Sequence, residues 1–297
     1  MKKTKIKENI YRWIFTALAF SSLVFLTGII IVLFKEGLPA FKNIGIMDFL
    51  TGLRWYPTNE ENPQFGILSM IAGSLIVSIG AMFVAVPLGL GSALFIHELA
   101  GEKAKSWLKP VIELLGAVPS IVFGFFGMVV VAPFLQNLFK IPTGLCAFTG
   151  MIVLGIMAIP TVCSIAEDAL SFVPKPYREA SYALGANRWQ TLWKVIMPAA
   201  GSGISTALVL GVSRVIGETM TVLMVTGGAA VFPGSIFDPV RTMTATIAAE
   251  MGEAPVGGDH YQALFAIGLV LFLVTLVLNL IAEIISRRYR VKLGLDL

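Results

Sequence analysis

The chain has 297 residues, of which 56% are hydrophobic and 13% charged, and its formal net charge is +4 at pH 7. Soluble domains carry about a quarter of charged residues, so this composition excludes a water-soluble globular protein. It predicts an all-α polytopic membrane protein instead.

Apolar runs of about 20 residues can cross the hydrocarbon core of a bilayer. Six transmembrane helices are predicted, the first as an anchor at 14–34 and the others within one transmembrane domain at 67–286. Those five spans are 67–96, 111–134, 144–166, 202–226 and 262–285. A reading with seven spans would divide 195–237 at Arg214 and Glu218, but the sequence there has no turn signal, whereas glycines mark both ends of 202–226.

The distribution of positive charge predicts which side each loop occupies. With six spans, sixteen of the 22 Lys and Arg residues fall on one side and five on the other. Because positive loops stay inside, both termini (1–13 and 287–297) and the loop 167–200 are predicted to be cytoplasmic, with 35–66 and 227–261 outside. We therefore expect a multi-pass protein of the cytoplasmic membrane of a bacterium or archaeon, and no nucleic-acid partner.

The second and third spans contain proline and small residues. The second is predicted to kink or end early at Val86–Gly91, leaving His97 and Glu98 at a solvated helix end. In the third, Pro119, Ser120 and Gly124 are typical of close helix packing or of a pore or hinge. Cys146 and Cys163 are predicted to be apolar filler, without a disulfide or a metal site.

The charged loop 167–200 is predicted to be a helical hairpin. Pro174 and Pro176 stop the preceding helix, and a new one starts near Tyr177. Gly185 suits a left-handed stop, and Asn187 with Gln190 has the form of a capping box. A second helix is predicted to end at Pro198 after one apolar stripe made of Trp189, Leu192, Trp193 and Ile196.

The fifth span carries Arg214 and Glu218 one helical turn apart. A charge near the bilayer midplane is costly, so the face shared by both side chains is expected to point into the bundle or into a polar pathway. Two interpretations remain open: a structural ion pair between helices, or a transport element. Farther along, Asp238 is predicted to cap an outer helix over 238–252. Three roles remain open for this helix: an extracellular gate, a receiver for a binding protein, or simple packing on the surface.

Glu179, Ala180, Ser181, Gly185 and Pro198 stand at the spacing of the "EAA" loop, so the chain resembles ABC importer permeases. The loop pattern is E-A-A, three residues, G, nine residues, I-x-L-P, and this chain has Ser, Val and Met at three of those places. In that family the loop docks into a cleft on a separate ATPase. The implied docking residues are Arg178, Glu179, Ala180, Ser181, Ala183, Leu184, Gly185, Arg188, Trp189 and Pro198. An amphipathic loop lying on the membrane is the alternative; a DNA-reading helix-turn-helix is disfavoured.

The segments FKEGLPAF, RWYP, QFGIL and RVIGETM, together with Pro119, Ser120 and Gly124, are similar to the phosphate-specific ABC importer permease that pairs with a second, related permease. The resemblance implies a type I ABC importer permease fold and a heterodimer with that permease. It also implies two copies of a cytoplasmic ATPase and an external phosphate-binding protein. The implied substrate pathway contains Arg214, Glu218, Thr219 and Thr221.

The chain contains no G-x-x-x-x-G-K-[ST] loop, nucleophile elbow or His/Cys cluster, so no catalytic residue and no metal site is predicted. It is expected to be a non-catalytic subunit without a cofactor of its own, whose partner ATPase binds ATP and Mg. Rival interpretations are an ABC permease for molybdate or sulfate, and a secondary transporter or channel. A role in sensing phosphate would follow from the resemblance alone.

Overall fold

The computed structural model describes the backbone of residues 2–59 and 61–292, and the side chains of 11–59, 61–281, 283 and 284. Helices dominate these residues. The elements are α1 (Lys2–Ile44), α2 (Ile46–Thr51), β1 (Trp55–Tyr56), β2 (Gln64–Phe65), α3 (Leu68–Leu94), α4 (Glu102–Gly116), α5 (Ser120–Phe126), α6 (Ala132–Phe139), α7 (Ala147–Ser171), α8 (Lys175–Ala183), α9 (Arg188–Thr191), α10 (Met197–Ala199), α11 (Gly201–Ile216), α12 (Met220–Val225), α13 (Met243–Glu250) and α14 (Asp259–Lys292). Three π-helical turns, Phe95–Leu99, Gly127–Val131 and Leu192–Ile196, extend α3, join α5 to α6 and join α9 to α10.

Five helical stretches in this part of the chain are long and apolar enough to cross a membrane. They are Tyr11–Ile44, Leu68–Leu99, Ser120–Phe139, Ala147–Ser171 and Asp259–Ile281. A sixth crossing results if the pair Arg188–Ala199 and Gly201–Ile216, bent by 68°, is counted as one span. The predicted all-α membrane bundle is confirmed, with the short antiparallel pair β1–β2 as its only strands among the described residues. The cytoplasmic placement of both termini stays a prediction, and residues 1 and 293–297 of those termini lie outside the described residues.

The centre of the bundle is α7, which packs most extensively on α3. Small residues make this approach possible: a Cβ on Gly155 would lie 2.6 Å from the Val84 Cβ, and one on Gly89 would lie 2.9 Å from Val162. In a membrane, helices associate by such close packing because lipid is as apolar as their side chains. The α3–α7 pair is therefore the rigid centre on which the other helices are arranged.

On one side of the bundle, α1 packs on α14, and its apolar side chains remain largely exposed in the single chain. The segments that contain β1 and α13 close over this end through a core that contains Phe49, Trp55, Met70 and Leu264. Polar contacts also stabilise this core. Glu250 accepts hydrogen bonds from Trp55 Nε1 at 2.9 Å and from an Arg241 nitrogen at 2.6 Å, and it lies 2.9 Å from His260 Nε2.

The third span differs from its predicted bounds of 111–134. Residues Glu102–Gly116 form the separate helix α4, and the crossing starts at Ser120. Pro119 has extended backbone angles (φ −58°, ψ 139°) and precedes the first residue of α5, so it starts a new helix and does not bend an existing one. The second span does not end early at Pro87 either; it remains α-helical to Leu94 and continues as a π turn to Leu99.

Two further predictions are corrected by the structure. The predicted span 202–226 is interrupted at 217–219, between α11 and α12. The outer helix predicted over 238–252 is shorter, because Thr242 provides its N-cap and accepts from the Ala245 N–H at 3.2 Å. Asp238 instead accepts hydrogen bonds from the backbone N–H groups of Gly234 and Ser235, both at 2.9 Å, and so stabilises the preceding turn.

Replacement of Gly155 by Ala tests the tight α3–α7 contact. The new methyl group would lie 3.0 Å from the backbone oxygen of Ala81 as well as close to Val84. Overpacking of this kind costs about 1–3 kcal/mol, so we expect a lower midpoint for thermal unfolding in detergent. Gly91→Ala in α3 is the matched control, since a Cβ there meets no atom within 4 Å. Equal midpoints for the two variants would contradict this packing.

Candidate functional site

The loop hairpin (residues 175–199) has the local structure that its sequence predicts. Gly185 has φ +84°, the left-handed geometry that ends α8. The Asn187 side chain accepts from the Gln190 N–H, and the Gln190 side chain accepts from the Asn187 N–H, both at 2.9 Å. The predicted stop and capping box are therefore confirmed, and α8 begins at Lys175, after Pro174 and two residues before Tyr177.

The apolar stripe predicted for the second helix is divided between two faces. Leu192 and Ile196 are buried, whereas Trp189 and Trp193 are more than half exposed. The π turn Leu192–Ile196 lies within this segment. The second helix of the hairpin, Arg188–Ala199, ends one residue after Pro198, as predicted, and the 68° bend to α11 follows.

The buried face fixes the hairpin to the bundle. Leu192 and Ile196 pack in a cluster with Ala93 of α3 and with Ala166 and Leu170 of α7. The two arms of the hairpin are also joined directly, since the hydroxyl groups of Ser181 and Thr191 lie 2.9 Å apart and are buried. Ser181, which replaces the second Ala of the family pattern, thus has a contact inside this chain.

Several large apolar and aromatic side chains of the hairpin remain exposed in the single chain. They are Tyr177, Tyr182, Leu184, Trp189 and Trp193. Glu179, Ala180 and Ala183 are exposed beside them. A cavity of about 340 Å³ opens at the base of the hairpin, where Val173 and Tyr177 face Ala200. Exposed apolar patches of this kind mark interaction surfaces.

A buried carboxylate lies beneath the hairpin. The Glu98 side chain is only 3% exposed, and it accepts from both terminal nitrogens of Arg178 and from Arg188 Nε at 3.5 Å. The prediction that His97 and Glu98 form a solvated helix end is therefore wrong. The sequence contains a signal for this cluster that was missed. Each arm of the hairpin carries an arginine, and a single acid lies at the end of a neighbouring apolar span.

A second buried carboxylate, Glu167 of α7, holds α4 against the bundle. It lies 2.9 Å from Lys105 Nζ and 2.6 Å from Lys109 Nζ, and it accepts from Ser171 Oγ at 2.9 Å. Hydrogen bonds to Asp168 and Glu167 raise the pKa of Lys109. A raised pKa keeps this ammonium charged, so its pairing stabilises the fold up to alkaline pH and is lost only as the pH rises through the folded-state pKa.

Arg214 and Glu218 do not share a helical face as predicted, because α11 ends at Ile216. Arg214 is exposed on the single chain, and no ion pair among the described residues joins it to Glu218. Glu218 is half-buried and accepts from the Thr221 N–H at 3.2 Å, which caps the start of α12. The interpretation as a structural ion pair between these two residues is therefore wrong for the single chain.

The interruption at 217–219 packs against the start of the third span. Thr221 Oγ1 donates to the Ser120 carbonyl at 2.9 Å, and Thr244 Oγ1 donates to the Glu218 carbonyl at 2.7 Å. Gly124 allows this approach, since a Cβ there would lie 3.2 Å from the Thr221 Cα. Thr219 Oγ1 bonds only locally among the described residues, to the Gly217 carbonyl at 3.3 Å. The structure thus brings Ser120, Gly124 and Thr221 together beside Glu218.

Comparison with known proteins identifies the family. Residues 85–291 match the model described as "Binding-protein-dependent transport system inner membrane component". This chain belongs to that family. It is an ABC importer permease subunit, a multi-pass inner-membrane protein that does not itself hydrolyse ATP.

Curated relatives cover nearly the whole permease. The "Probable ABC transporter permease protein YqgH" of Bacillus subtilis is 41% identical over 94% of this chain and 91% of its own length. The "Phosphate transport system permease protein PstC" of Mesorhizobium japonicum is 33% identical over 99% of this chain and 94% of its own. The protein of the same name from Haemophilus influenzae is 33% identical over 91% and 90%.

Solved structures of low sequence identity show the same fold. A bacterial ABC transporter "involved in the import of the acidic polysaccharide alginate" aligns with a TM-score of 0.65 at 18% identity, covering 96% of the permease and 99% of that chain. An inward-facing MetNI methionine ABC transporter aligns with a TM-score of 0.56 at 18% identity, covering 75% and 94%. The type I importer permease fold expected from the sequence is confirmed.

The left-handed geometry of Gly185 leads to a test of the hairpin. Gly185→Ala places a Cβ in open space, so only the backbone strain of a left-handed residue acts, about 1–2 kcal/mol. We expect faster hydrogen exchange of the amides in α8 and α9. Gly185→Asn should exchange more slowly than Gly185→Ala, because Asn tolerates this geometry better. Identical exchange in the two variants would show that the turn is not under this constraint.

Proposed function

We propose that this chain is the membrane subunit of an ATP-driven importer that moves inorganic phosphate into the cytoplasm. The observation that carries the proposal is its similarity along almost the entire length to permeases named for phosphate transport. The relative from Bacillus subtilis bears no substrate in its name. The choice of phosphate therefore needs support from the residues themselves.

Arg214 supplies the first part of that support. It is the only Lys or Arg of α11, where it occupies the last turn of an otherwise apolar transmembrane segment, and it is exposed on the single chain. A charged side chain cannot remain in contact with lipid hydrocarbon without a large cost, so this surface must face water or another subunit. A guanidinium group offers planar, paired donors that match the oxygens of a tetrahedral oxyanion.

Glu218 distinguishes phosphate from other oxyanions. Its Oε1 accepts from the Thr221 N–H, and no described residue hydrogen-bonds to its Oε2. Monohydrogen phosphate has a hydroxyl group that can donate to such a carboxylate oxygen, whereas sulfate at neutral pH has no donor. An arginine and a glutamate that both contact the ion therefore favour phosphate over sulfate or molybdate. Thr219 and Thr221 follow Glu218 closely in the chain, so the segment 214–221 forms the proposed pathway.

The exposed surfaces fit the partners of such an importer. The uncovered aromatic and alanine face of the loop hairpin suits docking into a cleft on an ATPase subunit, which would bind ATP and Mg. The exposed face around Arg214 suits a second, related permease, giving a heterodimer with two copies of the ATPase. A phosphate-binding protein would deliver the ion at the outer loops 35–66 and 227–261, where α13 lies. Movement of the docked hairpin would then change the bundle from outward-facing to inward-facing.

Uptake of labelled phosphate tests the substrate and the role of Arg214. Cells that depend on this importer should lose phosphate uptake by about tenfold or more in Arg214→Ala and in Arg214→Lys, because lysine lacks the bidentate geometry. Glu218→Ala should also lose uptake. Arg54→Lys, at an exposed position of the outer loop, is the matched control and should transport normally at equal membrane abundance.

Competition in the same assay separates the oxyanions. Excess unlabelled phosphate should abolish uptake of the label, whereas excess sulfate or molybdate should leave it unchanged. Inhibition by sulfate or molybdate as strong as that by phosphate would identify another oxyanion as the substrate. Normal uptake in both Arg214→Ala and Glu218→Ala would remove these two residues from the pathway.

Crosslinking tests the ATPase interface. Ala180→Cys and Ala183→Cys place thiols on the exposed face of α8, and we expect each to crosslink to a cytoplasmic ATPase that co-purifies with the complex. Ala248→Cys, exposed on the outer helix α13, is the matched control and should not do so. Labelling of Ala183→Cys by a membrane-impermeant maleimide in intact spheroplasts would place the hairpin outside and contradict the docking proposal.

A further inference from the structure

Glu98 lies at the point where the loop hairpin meets the transmembrane helices. It belongs to the π turn Phe95–Leu99 that ends the second span, and its side chain is 3% exposed. A buried carboxylate is tolerated when charged partners and hydrogen bonds compensate for the loss of water. Here the partners come from the hairpin, 80 and 90 residues farther along the chain.

The carboxylate contacts both arms of the hairpin. Arg178 on α8 contacts both of its oxygens, and Arg188 on α9 contacts Oε2. Between the arms, the hydroxyl groups of Ser181 and Thr191 form the only other polar side-chain link that joins α8 to α9 among the described residues. Glu98 therefore bridges the two arms of the hairpin and attaches them to the end of α3.

From Glu98 the hydrogen bonds continue to α7 and α4. Arg178 can only donate, so His97 Nε2, 3.3 Å away, is the acceptor, and His97 Nδ1 then donates to Ser171 Oγ at 3.3 Å. Ser171 in turn donates to Glu167, which binds Lys105 and Lys109 of α4. One directional chain of polar contacts thus joins the hairpin to the ends of α3 and α7 and to α4.

We propose that Glu98 is the positioning residue that makes the loop hairpin move as one body with the ends of α3 and α7. The apolar contacts of Leu192 and Ile196 hold one arm of the hairpin. Among the described residues, only the Glu98 carboxylate forms ion pairs with both arms. Without it, a displacement of the hairpin would be absorbed by the hairpin itself and would reach the spans only weakly. That consequence for transport rests on the proposed function; the positioning of the hairpin does not.

Distance measurement in the full chain tests the positioning directly. Spin labels at Leu184→Cys, at the exposed end of α8, and at Lys103→Cys on α4 report the hairpin relative to the bundle; the native cysteines are buried. In nanodiscs, Glu98→Gln should broaden the distance distribution, and Arg188→Gln, which removes one arm's contact, should broaden it less. Glu102→Gln, an exposed acid in the first turn of α4, is the matched control and should leave it unchanged.

The importer purified with its co-expressed ATPase and reconstituted in liposomes tests the consequence for transport. We expect Glu98→Gln to keep the ATPase bound and hydrolysing ATP, while the phosphate transported per ATP falls severalfold because the hairpin no longer moves the spans with it. The double variant Glu98→Gln/Arg178→Gln should lose no more than the single variants, because one interaction has been removed twice.

The outcomes separate the two proposals. An unchanged distance distribution in Glu98→Gln overturns the positioning role. A broadened distribution with an unchanged ratio of phosphate to ATP overturns the coupling role. If no ATPase co-purifies with the unsubstituted chain, the proposed function fails, and the distance measurement still decides whether Glu98 positions the hairpin.

Discussion

Backbone groups inside a bilayer have no water to bond, so a helix can be interrupted at membrane depth only where protein supplies the missing partners. This constraint governs the interruption at 217–219, which packs against the start of the third span at Ser120. Thr221 binds the Ser120 carbonyl, and Thr244 binds the Glu218 carbonyl. Because those hydroxyl groups stabilise the interruption, Arg214 and Glu218 can lie at the end of one helix and the start of the next, beside irregular backbone.

Around that interruption, two different kinds of contact hold the helices of the bundle together. In the membrane, α3 and α7 are held by glycines that allow backbones to approach, as at Gly155 and Gly89. At the end that carries the loop hairpin, buried carboxylates at Glu98 and Glu167 bind cations from the hairpin and from α4. Close packing forms a contact that cannot deform gradually, and the ionic contacts attach the surrounding elements to it. A force on the hairpin therefore meets a rigid centre.

The sequence predicted what local chemistry determines and failed where distant segments decide. Gly185 and the Asn187–Gln190 box need only neighbouring residues, and both were predicted correctly. Pro119 was recognised as a special residue, but whether it bends a helix or starts one depends on the position of α4. That helix is held against the bundle by Glu167, 48 residues after Pro119 in the chain. Glu98 was predicted to be a solvated acid because the two arginines that bury it are distant in the sequence: they follow the third and fourth spans.

The charged residues of this chain show which contacts the assembly must still provide. Removing one partner from a buried ion pair costs several kcal/mol, so the Glu98 and Glu167 clusters, complete within the described residues, belong to the fold of the single chain. Arg214 is different: it stands in an apolar helix, is exposed, and has no ionic partner among the described residues. A guanidinium group in that position is stable only when the surface beside it is wet or covered by protein. The face of α11 around Arg214 therefore needs water or another protein surface beside it, whereas the hairpin is already held to the bundle within the single chain.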